Sequence, residues 1–151
     1  MTDQVCFQTL KEWTGKDNAT VVYDSTVDPF TAQCLFDKVK GKDNVAVIGT
    51  TTDGDIFGAF CNRAVTEQDR YVFDPDMFIF SFESHDRCET PQQFVLKEKM
   101  RDKACFCIWS GKENGLVSFR VVGLVFGECG FFLGNESSTS WCLNMSRGFE
   151  G

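Results

Sequence analysis

A single histidine, His85, limits the chemistry open to these 151 residues. Ser-His-Asp and Cys-His catalysis would both have to use it, and its neighbours Ser84, Asp86 and Cys88 are too close in the chain to face it as a relay. A surface-loop histidine is the simpler reading. No GxSxG elbow, HExxH pair or phosphate loop occurs. Gly123, Gly127 and Gly130 miss the spacing of a dinucleotide fingerprint and precede no helix that could receive a phosphate, so they read as turns or bulges. Paired carboxylates can hydrolyse without histidine, and Glu83, Glu128 and Glu136 each end an apolar run, where a sandwich could draw them towards one rim. Hydrogen bonding to loop backbone is the simpler role for such acids. Asp24 and Ser25 have the same double reading, a ligand-facing pair or a side-chain clamp on a turn, and the clamp is preferred. Asp53-Gly54-Asp55 is too short for a calcium loop.

Eight cysteines leave thiol chemistry to consider. The opening MTDQVCFQTLKEW has no basic leader followed by an apolar run, which points to the cytoplasm or the nucleus, where thiols stay reduced. With no CxxC and no paired histidine, no metal site is expected, and no cofactor motif is present. Cys105 and Cys107 put two sulfurs on one face of a strand, where small apolar core residues are preferred over a redox pair. Cys88 lies in a polar loop beside Arg87 and His85, both of which would lower its thiol pKa. It is the best candidate for a reactive thiol, although an inert loop cysteine is the simpler reading.

The net charge of −7 and a pI near 4.7 oppose binding to phosphate backbones and anionic membranes. The basic clusters Lys38-Lys40-Lys42 and Lys97-Lys99-Arg101-Lys103 are interleaved with acids and read as solvated faces, so nucleic acid is not an expected partner. The longest apolar stretch, 121–126, is far too short to span a bilayer, and no membrane insertion is expected.

Length predicts one domain over residues 1–151, able to bury about two-thirds of its unfolded surface. Sixteen Phe alternating with polar residues favour sheet over helical bundle. The pattern predicts a helix over 4–13 with Phe7, Leu10 and Trp13 on its apolar side, then a β-branched strand closed by Tyr23-Asp24-Ser25. A second helix is opened by Pro29, capped by Asp28 and ended by Gly41 after Lys38 and Lys40. Strands over 45–50 and 55–61 flank the hairpin signal Thr52-Asp53-Gly54. Further strands are predicted at 71–73, 78–83, 94–97, 104–109, 116–122, 131–134 and 141–143. The expected fold is mainly β (α+β), a two-sheet antiparallel β-sandwich with a few helices packed at its ends.

Tyr23-Asp24-Ser25, Phe30, Phe36, Asp53-Gly54 and Ile56-Phe57-Gly58 together resemble the TLDc domain of oxidation-resistance proteins. Phe78-Ile79-Phe80-Ser81-Phe82 is similar to the family's FLFSL strand, and residues 134–144 are similar to its Gly-Ser-Cys-Asn segment. The chain departs from the family pattern at Asp74-Pro75-Asp76, where a Gly-rich turn is usual, and in having no Trp after the FGAF strand. The family pattern continues with a Glu-Val-Trp-Gly-like strand after the segment near Phe149, and the expectation is a domain without it. The resemblance implies a β-sandwich that works in oxidative-stress resistance by protein contacts, with the V1 sector of the vacuolar proton pump (the V-ATPase) as partner. A non-enzymatic interaction domain is the first reading. A cysteine-based peroxide sensor or scavenger is the second, with Cys88, Cys105 and Cys107 as its residues. A stress-responsive transcriptional regulator is the third, and the net charge opposes it. Recognition usually sits on loops held by a rigid scaffold, so the expected contact rim is Asp24, Ser25, Asp28, Glu128 and Glu136.

Overall fold

A strand sends alternate side chains to opposite faces, and the run Phe78-Ile79-Phe80-Ser81-Phe82 uses both. The computed structural model describes residues 3–51, 54–84, 90–110, 115–121, 129–134 and 141–143. Among them, strands β1 (Val45–Thr50), β2 (Ile56–Cys61), β4 (Phe78–Glu83) and β5 (Gln92–Val95) form one antiparallel sheet in the order β1-β2-β4-β5. A second antiparallel sheet holds β3 (Val72–Phe73), β6 (Ala104–Ile108), β7 (Gly115–Val121), β8 (Cys129–Gly134) and β9 (Trp141–Leu143) in the order β3-β6-β7-β8-β9. This is the mainly β, two-sheet fold that the alternation predicts.

Ala59, Cys61 and Ile79 of the first sheet share one core with Ala104, Phe106, Ile108, Val117 and Phe119 of the second. Helix α2 (Ala32–Val39) adds Ala32, Leu35, Phe36 and Val39 to it, an i, i+3, i+4, i+7 stripe that places every large apolar side chain on one side. A small, mostly apolar pocket of about 30 Å³ lies beside Leu35, Val47 and Phe119. Phe78, Phe80 and Phe82 point the other way and join Phe60 beneath helix α1 (Asp3–Thr14). Trp13 stacks on Phe82 at 5.8 Å and meets Phe78 edge-on at 6.2 Å. Full burial of each such ring is worth about 1.5–3 kcal/mol.

The structure corrects four local expectations. The row of α1 that packs on the sheet is buried Cys6 and Leu10 with partly buried Trp13, and Phe7 is exposed, because spacings of four and three residues keep a helical row narrower than two spacings of three. Residues 20–23 form no ladder strand; Val22 and Tyr23 pack on the core as extended chain. Thr31, not Asp28, caps α2: its Oγ1 accepts from the Cys34 N–H at 3.1 Å. Asp28 is engaged elsewhere, so Pro29 stays in the preceding loop. Lastly, the strand expected at 94–97 is Gln92–Val95, and a 3₁₀ helix, Glu98–Lys103, follows it. Phe94 pairs with Ile79, which sets that register. As expected, Gly41 follows α2 with φ of 75°, a left-handed conformation that glycine adopts without steric cost.

Candidate interaction surface

Residues 24–28 fold into a turn that bonds almost wholly to itself. The Asp24 carbonyl accepts from the N–H groups of Val27 at 3.0 Å and Asp28 at 2.7 Å. Its carboxylate Oδ1 accepts from the Thr26 N–H at 2.9 Å and the Thr26 hydroxyl at 2.7 Å. Asp28 Oδ2 closes the ring by accepting from the Asp24 N–H at 3.0 Å. Asp is suited to this because its short carboxylate reaches backbone two residues on. The Thr26 hydroxyl, and then its N–H, hold the Asp24 carboxyl below the usual carboxylate range. The turn is anchored at its base by Tyr23, whose hydroxyl donates to the Pro29 carbonyl at 3.1 Å. Burial, then Cys34 and the two carboxylates, push that phenol up. Ser25 is exposed, and Val27 at the tip is 81% exposed. The expected site residues Asp24, Ser25 and Asp28 thus share one element, with the first and third serving as clamps and Ser25 and Val27 facing outward. Glu128, Glu136 and Cys88 lie outside the described residues, as does His85.

Cys105 and Cys107 lie fully buried on β6. They point away from the inter-sheet core that their neighbours Ala104, Phe106 and Ile108 enter. Burial, with Asp69 adding to it, pushes the Cys107 thiol up to about 11. Cys61, buried next to Asp74, is also pushed up, burial being the larger cause. Thiols held protonated are poor nucleophiles at neutral pH. Among the described residues, no group of three His, Cys, Asp or Glu could hold a metal ion, and no helix is long and apolar enough to cross a membrane.

The residue that sequence reasoning missed is Asp74. Only 1% exposed, it accepts the Asn62 N–H at 2.6 Å and the Arg63 N–H at 3.3 Å on Oδ2, and the Asp76 N–H at 3.1 Å on Oδ1. Asn62 and Arg63 follow β2 of the first sheet, whereas Asp74 follows β3 of the second, so one carboxylate ties the two sheets where the chain crosses between them. Arg63 donates to the Phe73 carbonyl at 2.7 Å, and Arg101 donates to the Pro75 carbonyl at 3.0 Å and pairs with Asp76. The departure from the family's Gly-rich turn was the available signal: a Gly-rich turn needs no carboxylate, and a buried one needs partners. A polar groove of about 470 Å³ runs past this turn, lined in part by Trp13, Asp76, Gln93, Glu98 and Arg101. Its charges are satisfied within it, because Arg101 also pairs with Glu98 at 3.6 Å.

The TLDc domain profile matches residues 2–148, nearly the whole chain. The chain belongs to the TLDc family. No curated protein and no solved structure matches it. The TLDc family is associated with resistance to oxidative stress. The TLDc motif Ile56-Phe57-Gly58 has a packing reason in this fold: a Cβ at Gly58 would lie 2.0 Å from the Val47 carbonyl oxygen and 2.7 Å from the Phe80 ring. Only glycine lets β1, β2 and the Phe80 ring close at that point. The motif Tyr23-Asp24-Ser25 supplies the anchor, the clamp and one outward residue of the TLDc turn.

Proposed function

We propose that this TLDc domain is a non-enzymatic protein-interaction module in oxidative-stress resistance, and that it acts in the cytoplasm on the V1 sector of the vacuolar proton pump. The carrying observation is the 24–28 turn. It is exposed, acidic and preorganised by its own hydrogen bonds, and it presents Ser25 and Val27 to solvent. A surface ordered before binding avoids part of the entropy cost of association. Loops on a rigid sandwich are the usual place for such contacts. Family membership, not the turn itself, is what supports this choice of partner.

Capture of purified V1 on immobilised chain tests both parts. Binding by the native chain, with at least about tenfold weaker binding by Val27→Asp at an unchanged melting temperature, supports the proposal. Absence of V1 binding by the folded native chain overturns the partner. Undiminished capture by Val27→Asp overturns the turn as its surface.

A further inference from the structure

Sheet edges carry unpaired backbone groups, and natural proteins blunt them with short strands, proline, charge or bulges. Among the described residues, three of the four edges here are short: β3 has two residues, β9 three, and β5 four with Pro91 directly before it. The fourth, β1, has six residues, reads Val-Ala-Val-Ile-Gly-Thr, and carries neither charge nor proline. Its pairing with β2 runs without a bulge, whereas β2 and β4 shift register at Ile56/Phe57. Ile48 is 41% exposed although it sits mid-strand, and Thr50 is exposed as well. Every second residue of such a strand directs its N–H and C=O away from its one partner.

The flanks of β1 differ in sign. Exposed Lys40 and Lys42 outnumber Asp43 before the strand, and Asp55 follows it across the hairpin turn. Two copies of β1 laid antiparallel about a two-fold axis set the basic end of each against the acidic end of the other. A parallel arrangement sets like charge against like. We propose that β1 is a self-association edge: two copies of this chain pair β1 with β1 antiparallel, joining their four-stranded sheets into one continuous sheet and burying Ile48 of each copy near the axis. The contact is isologous and closes at two copies.

Sedimentation velocity over a concentration series tests this. The expected result is a concentration-dependent dimer that salt weakens, since exposed charges are screened. Ile48→Lys places a charge on the edge and raises the dimer dissociation constant at least about tenfold, with the melting temperature unchanged. Lys42→Glu and Asp55→Lys each weaken self-association, and an equimolar mixture of the two restores it. A chain that stays monomeric at every concentration overturns the proposal, as does a dimer indifferent to both Ile48→Lys and Lys42→Glu. A mixture that fails to restore association overturns the antiparallel arrangement. Should Ile48→Lys lower the folded fraction, Lys42→Glu decides alone, because Lys42 is an exposed residue outside the strand.

Discussion

Asp24 and Asp74 perform the same chemistry in opposite settings. Each carboxylate accepts backbone N–H groups and fixes a turn. Asp24 takes its side-chain hydrogen bonds from Thr26, two residues away, in solvent. Asp74 takes two of its three from Asn62 and Arg63, across the join between two sheets, and is only 1% exposed. Water can replace the partners of the first, whereas burial keeps it from those of the second. One residue type therefore supports a presented surface in one place and the sandwich itself in the other.

The largest expected effect breaks the buried member. Asp74→Ala leaves three N–H groups without their acceptor and costs roughly 3 kcal/mol, which in a chain of this size lowers the melting temperature by roughly 6–12 °C. Urea unfolding measures it, and Asp74→Asn, which keeps one acceptor oxygen, loses less. If Asp74→Ala proves as mild as Asp24→Ala, burial does not separate the two turns. Next in size, Gly58→Ala forces β1 from β2 and costs about 2 kcal/mol by the same measurement. That position has neither charge nor hydrogen-bonding side chain, so it calibrates pure steric strain beside the loss of an acceptor.

The exposed member sharpens the contrast in acid. Asp24 has a folded pKa below its unfolded one, so its contribution to turn order is complete above the unfolded value and is lost as the pH falls through the folded value. NMR titration of the carboxyl carbon should place its midpoint below the ordinary aspartate range, and Thr26→Ala, which removes the largest cause, should return it most of the way. Asp24→Ala should leave the melting temperature near native while weakening capture of V1. The smallest effect at neutral pH concerns the buried thiols. Cys105 and Cys107 should react with a maleimide only on unfolding, while partly exposed Cys34 reacts in the native state. Cys107 has the opposite sign to Asp24. Its folded pKa is raised, so its stabilisation is whole below about pH 9 and is lost as the pH climbs towards about 11. Prompt native-state labelling of Cys105 and Cys107 would move the thiol-sensor reading from second place to first.

Much of the fold was legible because it is written in short-range patterns. A short apolar run that reads as a buried strand locates β4, and the β1–β2 hairpin follows from two apolar runs flanking a Gly turn. Cap and turn chemistry were harder, since Asp28 and Thr31 are both competent N-caps and the choice depends on Asp28 being drawn to the Asp24 N–H. The candidate turn was legible for the same reason that it is self-contained: every one of its side-chain clamps lies within four residues of its partner. Asp74 was not, because Asn62 and Arg63 are 12 and 11 residues away and adjoin a different sheet.

The sequence by itself determined most of the strands, the existence of the two helices, the hairpin and the clamp at Asp24, all governed by backbone periodicity and hydrogen bonds over a few residues. Tertiary structure alone decided which side of α1 meets the Phe78-Phe80-Phe82 row, that Cys105 and Cys107 are sealed from solvent, that Asp74 joins the sheets, and that β1 is the longest edge among the described residues. Burial and edge position depend on which distant segments pack together, and no local pattern encodes the identity of a neighbour that arrives from elsewhere in the chain.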